Sequence, residues 1–416
     1  MRIEFNLRNL VILIIIAIVV TVAVLLILLG RRTAASGDNL NDVFGPNVEV
    51  TEFQQIPDQY NLTSLREYRC YNPCIFTVDS SNLDSGQLRK FRNQPFYAFR
   101  MCNFTACPGV PTKWDGNARY KTKSFTFIET PNKELFFISH AKLGLAECEQ
   151  GCQDARTFVC QDKLYLVCNS ATGAGCRREM IIMELDLNEF LIDDRRLKTI
   201  DRRELHSEWI EGREYVREVK PSKVEKLRIN FDNNRDQKNW MPFVFNEQIH
   251  FVYSVNPHVI LRYEDNKCIK VAETENDNLP NGLRGGSQIV RVTKWNLRLN
   301  PRIPLNRGSR TVMDRESYAP EELFLGVLHT REALFQYSTY IYAFEVKYPF
   351  KVRYISQPFV FGEDGCRSKR IQFASGMARI IKDGEAYLYI TYGENDCTAK
   401  LCVMREEDVL RSLRRV

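Results

Sequence analysis

From Tyr68 onward one pattern recurs: a short run of aromatic and β-branched residues, a turn, and another run. Phe96-Tyr97-Ala98-Phe99, Leu135 to Ile138, Lys163 to Val167, Ile249 to Tyr253, Leu323 to Val327 and Ala386 to Thr391 all read as strands. Turn pairs such as Gln161-Asp162, Asn246-Glu247 and Asp383-Gly384 precede many of them and predict hairpins. Long amphipathic helices are scarce, although the charged segment 186–228 has room for an inserted helix or loop. Roughly 350 residues of hairpins favour radial repetition of small sheets over a single sandwich. Blades of about 65–70 residues then predict an all-β, five-bladed β-propeller over residues 66–416.

Composition fits a globular chain. Of its 416 residues, 44% are hydrophobic and 26% charged, which sets aside disorder, collagen and coiled-coil rods. Lys and Arg number 58 against 52 Asp and Glu, a net charge of +6. Spread over this length, that excess makes no nucleic-acid footprint.

Ahead of the propeller, Leu10 to Leu29 is an apolar run interrupted only by Thr21. At about 1.5 Å per residue it matches the hydrocarbon core of a bilayer and predicts a transmembrane signal anchor over 10–29 behind a cytosolic tail, 1–9. Thr33-Ala34-Ala35-Ser36 is an alternative, a signal-peptide cleavage site. Arg2 and Arg8 before the run nearly balance Arg31 and Arg32 after it, so flanking charge leaves orientation open. The sequons at Asn61 and Asn103 and the 13 cysteines decide it, because both belong in an oxidising lumen. The expectation is a type II membrane protein of the Golgi or endoplasmic reticulum.

Residues 30–65 are polar and lack helical periodicity; they read as a stem or, alternatively, as a poorly packed first strand. Cys102 with Cys107, Cys148 with Cys152, Cys160 with Cys168 and Cys397 with Cys402 are close enough in sequence to bridge, though connectivity stays open. Zinc is the rival for Cys148 and Cys152, but no second pair stands at finger-like separation. The nearest approach to a metal-holding Asp-x-Asp is Glu184-Leu185-Asp186, and no metal is expected. Phosphate-cradling glycine loops, a nucleophile elbow and a His-Glu-x-x-His pair are absent.

In a propeller the inner strands of all blades converge on one axial pocket, so site residues should recur blade by blade. Five segments qualify: Cys70 to Ile75 with Phe99-Arg100; Gly151 to Arg156; Lys238 to Phe243 with Tyr253 to Tyr263; Leu283 to Ser287 with Leu328-His329-Thr330; and Phe373 to Gly376 with Thr391 to Asp396. Read alone, Asp154 and Arg156 are a turn with an ion pair, Lys238 and Arg262 are solvated, and Trp240, His258 and His329 are core. Arg284-Gly285-Gly286 reads as a tight turn.

In this order the segments resemble the five-bladed propeller of the inverting β-1,2-mannoside phosphorylases, glycoside hydrolase family 130, and related eukaryotic β-1,2-mannosyltransferases. Asn72-Pro73 is similar to that family's early Asn-Pro motif, Gln153-Asp154-Ala155-Arg156 to its Glu-Asp-Pro-Arg, and Tyr392-Gly-Glu-Asn-Asp396 to its closing Tyr-Gly-Ala-Ala-Asp. The likeness covers about residues 68–410 without 186–228, and it departs at Gln153 and Ala155, beside the presumed catalytic Asp.

The resemblance implies a glycosyltransferase moving mannose to an oligosaccharide or glycoconjugate acceptor from a nucleotide sugar or sugar 1-phosphate, with no cofactor. It makes Asp154 the acid or base at the glycosidic oxygen. Arg100, Arg156, Lys238, His258, Arg262, Arg284 and His329 would surround substrate and anionic oxygens. Asn72, Asn239 and Asp396 would hydrogen-bond the sugar, and Trp240 would offer it an aromatic wall. Alternatives are a mannoside phosphorylase or hydrolase and a non-catalytic glycan-binding propeller.

Overall fold

The computed structural model describes residues 38–55, 59, 69–78, 91–102, 124–138, 152–172, 177–190, 216–231, 237–294, 321–331, 337–361 and 371–416. No helix among them is long and apolar enough to cross a membrane. The expected tail and span, 1–9 and 10–29, and the sequons at Asn61 and Asn103 lie outside the described residues.

Among the described residues the strands form five sheets. Blade I holds Arg69–Thr77, Pro95–Cys102, Ser124–Glu129 and Leu135–Ile138; blade II holds Gln153–Cys160, Lys163–Thr172 and Arg177–Leu185. Blade III runs through Met241–Phe245, Gln248–Val255, His258–Glu264 and Lys267–Thr274. Blade IV is built on Val290–Lys294, Glu321–Arg331, Tyr337–Glu345 and Val352–Ile355, with the two-residue strand Arg284–Gly285 ahead of them, and blade V on Gln372–Lys382, Glu385–Glu394 and Thr398–Arg405. The inner strands begin at uneven intervals, so equal blades of 65–70 residues do not describe the chain.

Neighbouring blades share apolar cores. Phe76 and Phe96 pack with Leu164 and Met183 between blades I and II, and Val167 and Ile182 with Trp240 and Phe251 between II and III. Phe243 and Ile260 meet Phe324 and Phe344 between III and IV, and Leu325 and Ile341 meet Met377 and Ile390 between IV and V. Ile75 of blade I packs on Ala378 and Ile380 of blade V, which brings the last sheet back onto the first. The sheets thus follow one another around an axis, a propeller-like arrangement in which every blade is buried on both faces.

Local sequence sets the hairpins. Both residues of each pair have positive φ: 48° and 61° at Gln161-Asp162, 50° and 59° at Asn246-Glu247, 53° and 80° at Asp383-Gly384. Such pairs match the right-handed twist of the strands they join.

Two segments take up places that their sequence left open. Within the expected stem, Asp38–Asn39 pairs with Phe359–Val360 in blade IV, and Glu49–Glu52 pairs antiparallel with Thr398–Arg405 as the outer strand of blade V. Within 186–228, the described part is a short turn at Leu187–Phe190 and two strands. Val216–Val219 extends blade I beside Leu135–Ile138, and Lys223–Lys226 extends blade II beside Arg177–Leu185. Charge suits these outer strands because one of their edges meets water.

Candidate active site

Pairing slips in the inner strands between Tyr71 and Cys74, between Gln153 and Arg156, and between Ala374 and Gly376. A bulge re-aims the residue it displaces. In blades I and II that residue is Asn72, φ 46°, and Asp154, φ 52°. Asn and Asp tolerate this left-handed region better than other side chains. The two bulges face each other, and Asn72 Nδ2 donates to Asp154 Oδ1 at 2.8 Å.

Arg100, on the second strand of blade I, donates from Nη1 to the same oxygen at 2.9 Å. Its Nε donates to Ser124 Oγ at 3.1 Å, and its guanidinium lies 5.0 Å from the centre of the Tyr71 ring. Gly393 of blade V underlies this arrangement, since a Cβ there would lie 1.9 Å from Asn72 Oδ1.

Arg156 is fully buried and holds the Asp154 bulge from behind. Its Nη1 donates to the Asp154 carbonyl at 2.8 Å and its Nε to the Gly286 carbonyl at 2.6 Å, across to blade IV. Gly285 and Gly286 lie outside the left-handed region, so the expected tight turn gives way to another role. A Cβ on Gly285 would strike the Asn239 carbonyl, and one on Gly286 would come 2.7 Å from the Val327 carbonyl. Small size, rather than φ, is what these positions need.

A disulfide between Cys152 and Cys168 ties the Asp154 strand to its neighbour, and Asn169 Nδ2 donates to the Gln153 carbonyl at 3.2 Å. Ala155 is buried in the core shared by blades I and II. Cys160 and Cys402 are free thiols, so neither the Cys160–Cys168 nor the Cys397–Cys402 pairing forms. Cys397 is disulfide-bonded, with its partner outside the described residues. Cys107 and Cys148 also lie outside them.

The charges are strongly coupled. Burial pushes the Asp154 carboxyl up, but Arg100, the Asn72 hydrogen bond, Arg156 and Arg178 outweigh it and hold the group below the usual carboxylate range. Asp396, φ 47° at the Glu394–Thr398 hairpin, goes the other way. Burial, reinforced by the charge of Asp154, raises it to about 6 against the pull of Arg100 and Arg178. His329 drops to about 3 through burial and the cations Arg284, Arg156 and Lys238. It is neutral near pH 7, stacks on Tyr337 with centroids 5.1 Å apart, and its buried Nδ1 has no partner among the described residues.

Asn72, Arg100, Asp154, Arg156, Lys238, Arg284, His329 and Asp396 therefore belong to one axial cluster, with the Asn239 carbonyl close above Gly285. Three other expected residues lie elsewhere. Trp240 is buried between blades II and III against Phe251 and Tyr253, where no sugar face can reach it. His258 is buried between blades III and IV, with its ring on Phe344 and its Nδ1 3.0 Å from the Phe350 carbonyl. Arg262 pairs with Glu264 and lines a separate pocket of about 360 Å³ with His250, Phe245, Tyr348 and Phe350. Glu184 is taken up by Lys163 at 2.8 Å at the edge of blade II.

Sequence reasoning missed Arg178, Tyr71 and Tyr337, which act electrostatically on Asp154, Asp396 and their neighbours. Tyr71 adjoins the Asn72 bulge and was within reach of the motif. Arg178 follows Arg177 at a strand start, a pattern shared by solvated surface arginines.

No family model and no curated protein matches the chain. Solved structures similar to it include a β-1,2-mannobiose phosphorylase from Listeria innocua, at 10% identity and TM-score 0.49, covering 88% of this chain and 99% of that one. A family 117 glycoside hydrolase from Zobellia galactanivorans matches at 10% identity and TM-score 0.40, over 88% and 92% of the two chains. A GH32 β-fructofuranosidase from Bombyx mori matches at 12% identity and TM-score 0.37, over 83% and 64%.

Proposed function

We propose that this chain is a carbohydrate-active enzyme that makes or breaks a glycosidic bond in the axial cavity by inverting transfer. The observation that carries this reading is Asp154, a carboxylate aimed by a bulge and gripped by Asn72 and Arg100, with a second carboxyl of opposite proton affinity, Asp396, beside the same arginine. An oxocarbenium-like transition state needs a proton for the leaving oxygen and negative charge near the anomeric carbon. Carboxyls with proton affinities driven apart supply both near neutral pH.

Arg284, Lys238 and Arg178 give the axial cluster a cationic side suited to phosphate oxygens. The donor in this reading is a sugar 1-phosphate or nucleotide sugar, the sugar mannose, the linkage β-1,2, and the acceptor a glycan; sugar and linkage rest on the motif resemblance. The same cations favour a second reading, phosphorolysis of a mannoside. Anchoring through 10–29 and a lumenal site in the Golgi or endoplasmic reticulum complete the proposal.

The test is to incubate the full-length chain with nucleotide sugars and sugar 1-phosphates, with and without mannose acceptors, and separately with oligomannosides and inorganic phosphate. A product one hexose longer supports synthesis, and released mannose 1-phosphate supports phosphorolysis. Glycan binding with neither product under any donor would reject catalysis.

A further inference from the structure

Asp154 and Asp396 belong to one charge cluster but are held in opposite ways. Asp154 Oδ1 accepts from both Asn72 Nδ2 and Arg100 Nη1. Protonating that carboxyl would break an ion pair whose arginine is itself buried. Among the described residues, by contrast, no hydrogen bond or ion pair reaches the Asp396 carboxyl.

Its backbone is nevertheless fixed. Asn395 donates from its N to the Ile371 carbonyl at 2.8 Å and accepts from the Ile371 N at 3.2 Å through Oδ1, while Cys397 on the other side is disulfide-bonded. The adjoining Glu394 is ion-paired to Lys400 at 3.0 Å. A half-buried carboxyl on a fixed backbone, with no donor committed to it among the described residues, is suited to carry a proton and give it up.

On this geometry, and resting on the reading of the site as glycosidic, we infer that Asp396, not Asp154, donates the proton to the departing glycosidic oxygen. The bond between the anomeric carbon and that oxygen breaks with its electron pair on oxygen, which takes the Asp396 proton. An oxygen of hydrogenphosphate forms the new bond to the anomeric carbon from the opposite face with its own lone pair, and Asp396 is reprotonated from solvent. Asp154 stays anionic throughout and steadies the positive charge that develops on the sugar.

The groups that face Asp396 agree with this division. Arg100 from blade I and Arg178 from blade II draw its proton affinity down, Asp154 from blade II raises it, and burial dominates, leaving it near 6. Tyr71 of blade I and Tyr337 of blade IV also feel its charge.

Two measurements on the full-length chain test the assignment. The first compares phosphate-dependent turnover of 2,4-dinitrophenyl β-mannoside, whose leaving group needs no proton, with that of an alkyl β-mannoside, whose leaving group does. Asp396→Asn should lose about 100-fold or more on the alkyl substrate and less than tenfold on the dinitrophenyl one, while Asp154→Asn should lose both alike. Rescue of Asp154→Asn instead, or equal losses in Asp396→Asn with an unchanged thermal midpoint, would overturn the assignment. No turnover of either substrate by the unaltered chain would overturn the phosphorolytic reading on which this step rests. The second follows aspartate carboxyl carbons by NMR and needs no substrate. A titration near pH 6 that disappears in Asp396→Asn is expected; one that persists there, or that is missing from the unaltered chain, overturns the assignment.

Discussion

Asn72 Nδ2 and Asp154 Oδ1 stand 2.8 Å apart, so a single hydrogen bond joins the bulges of two neighbouring blades. Each residue sits in the left-handed region, and each is the point where its inner strand leaves the pleat. The Asp154 carboxylate is thereby positioned by backbone conformation as much as by contacts.

Gly393 protects that junction. Gly393→Ala would drive a methyl group onto Asn72 Oδ1 and within 2.7 Å of the Asn72 backbone N. The expected cost is about 1–3 kcal/mol of stability, as for other overpacked sites. Activity should fall further than stability implies, because Asn72 moves with Asp154. Urea unfolding and turnover measured on the same preparation check both parts.

Arg156 holds two carbonyls in two blades, and a lysine ammonium lacks the planar fork to reach both. Arg156→Lys should lower stability by about 1.5–3 kcal/mol, the scale of a hydrogen bond to a charged group. Thermal unfolding reads the loss.

Trp240 distinguishes core from sugar wall. As a buried partner of Phe251 and Tyr253, it should respond to Trp240→Phe with a stability loss of about 1–3 kcal/mol and no change in KM. A raised KM with stability intact would return it to the substrate site.

His258 makes stability depend on pH. Burial lowers its affinity for a proton from the ordinary value of 6.5 to about 4, so below pH 6.5 the unfolded chain takes up a proton that the folded chain refuses. Its contribution is complete above pH 6.5 and declines as pH falls toward 4, by about 2 kcal/mol between pH 7 and pH 5. Replacing it with glutamine should remove that portion of the pH dependence. Urea midpoints at the two pH values for both chains measure the difference.

Sequence alone determined the strands, the paired left-handed residues of the hairpins, the all-β class and the order of the motifs around Asn72, Asp154 and Asp396, because alternation and preferred φ are properties of a few adjacent residues. Tertiary structure decided which strand of each sheet faces the axis and what lies across from it. It took Trp240, His258 and Arg262 into inter-blade cores and an outer pocket, brought Arg178 and Tyr337 within electrostatic reach of Asp154, and joined Cys152 to Cys168 rather than to a nearer cysteine. It also made Glu49–Glu52 the outer strand of the last blade. Those outcomes depend on closing the ring, where the partners of each residue come from blades far away along the chain, and no local pattern carries that information.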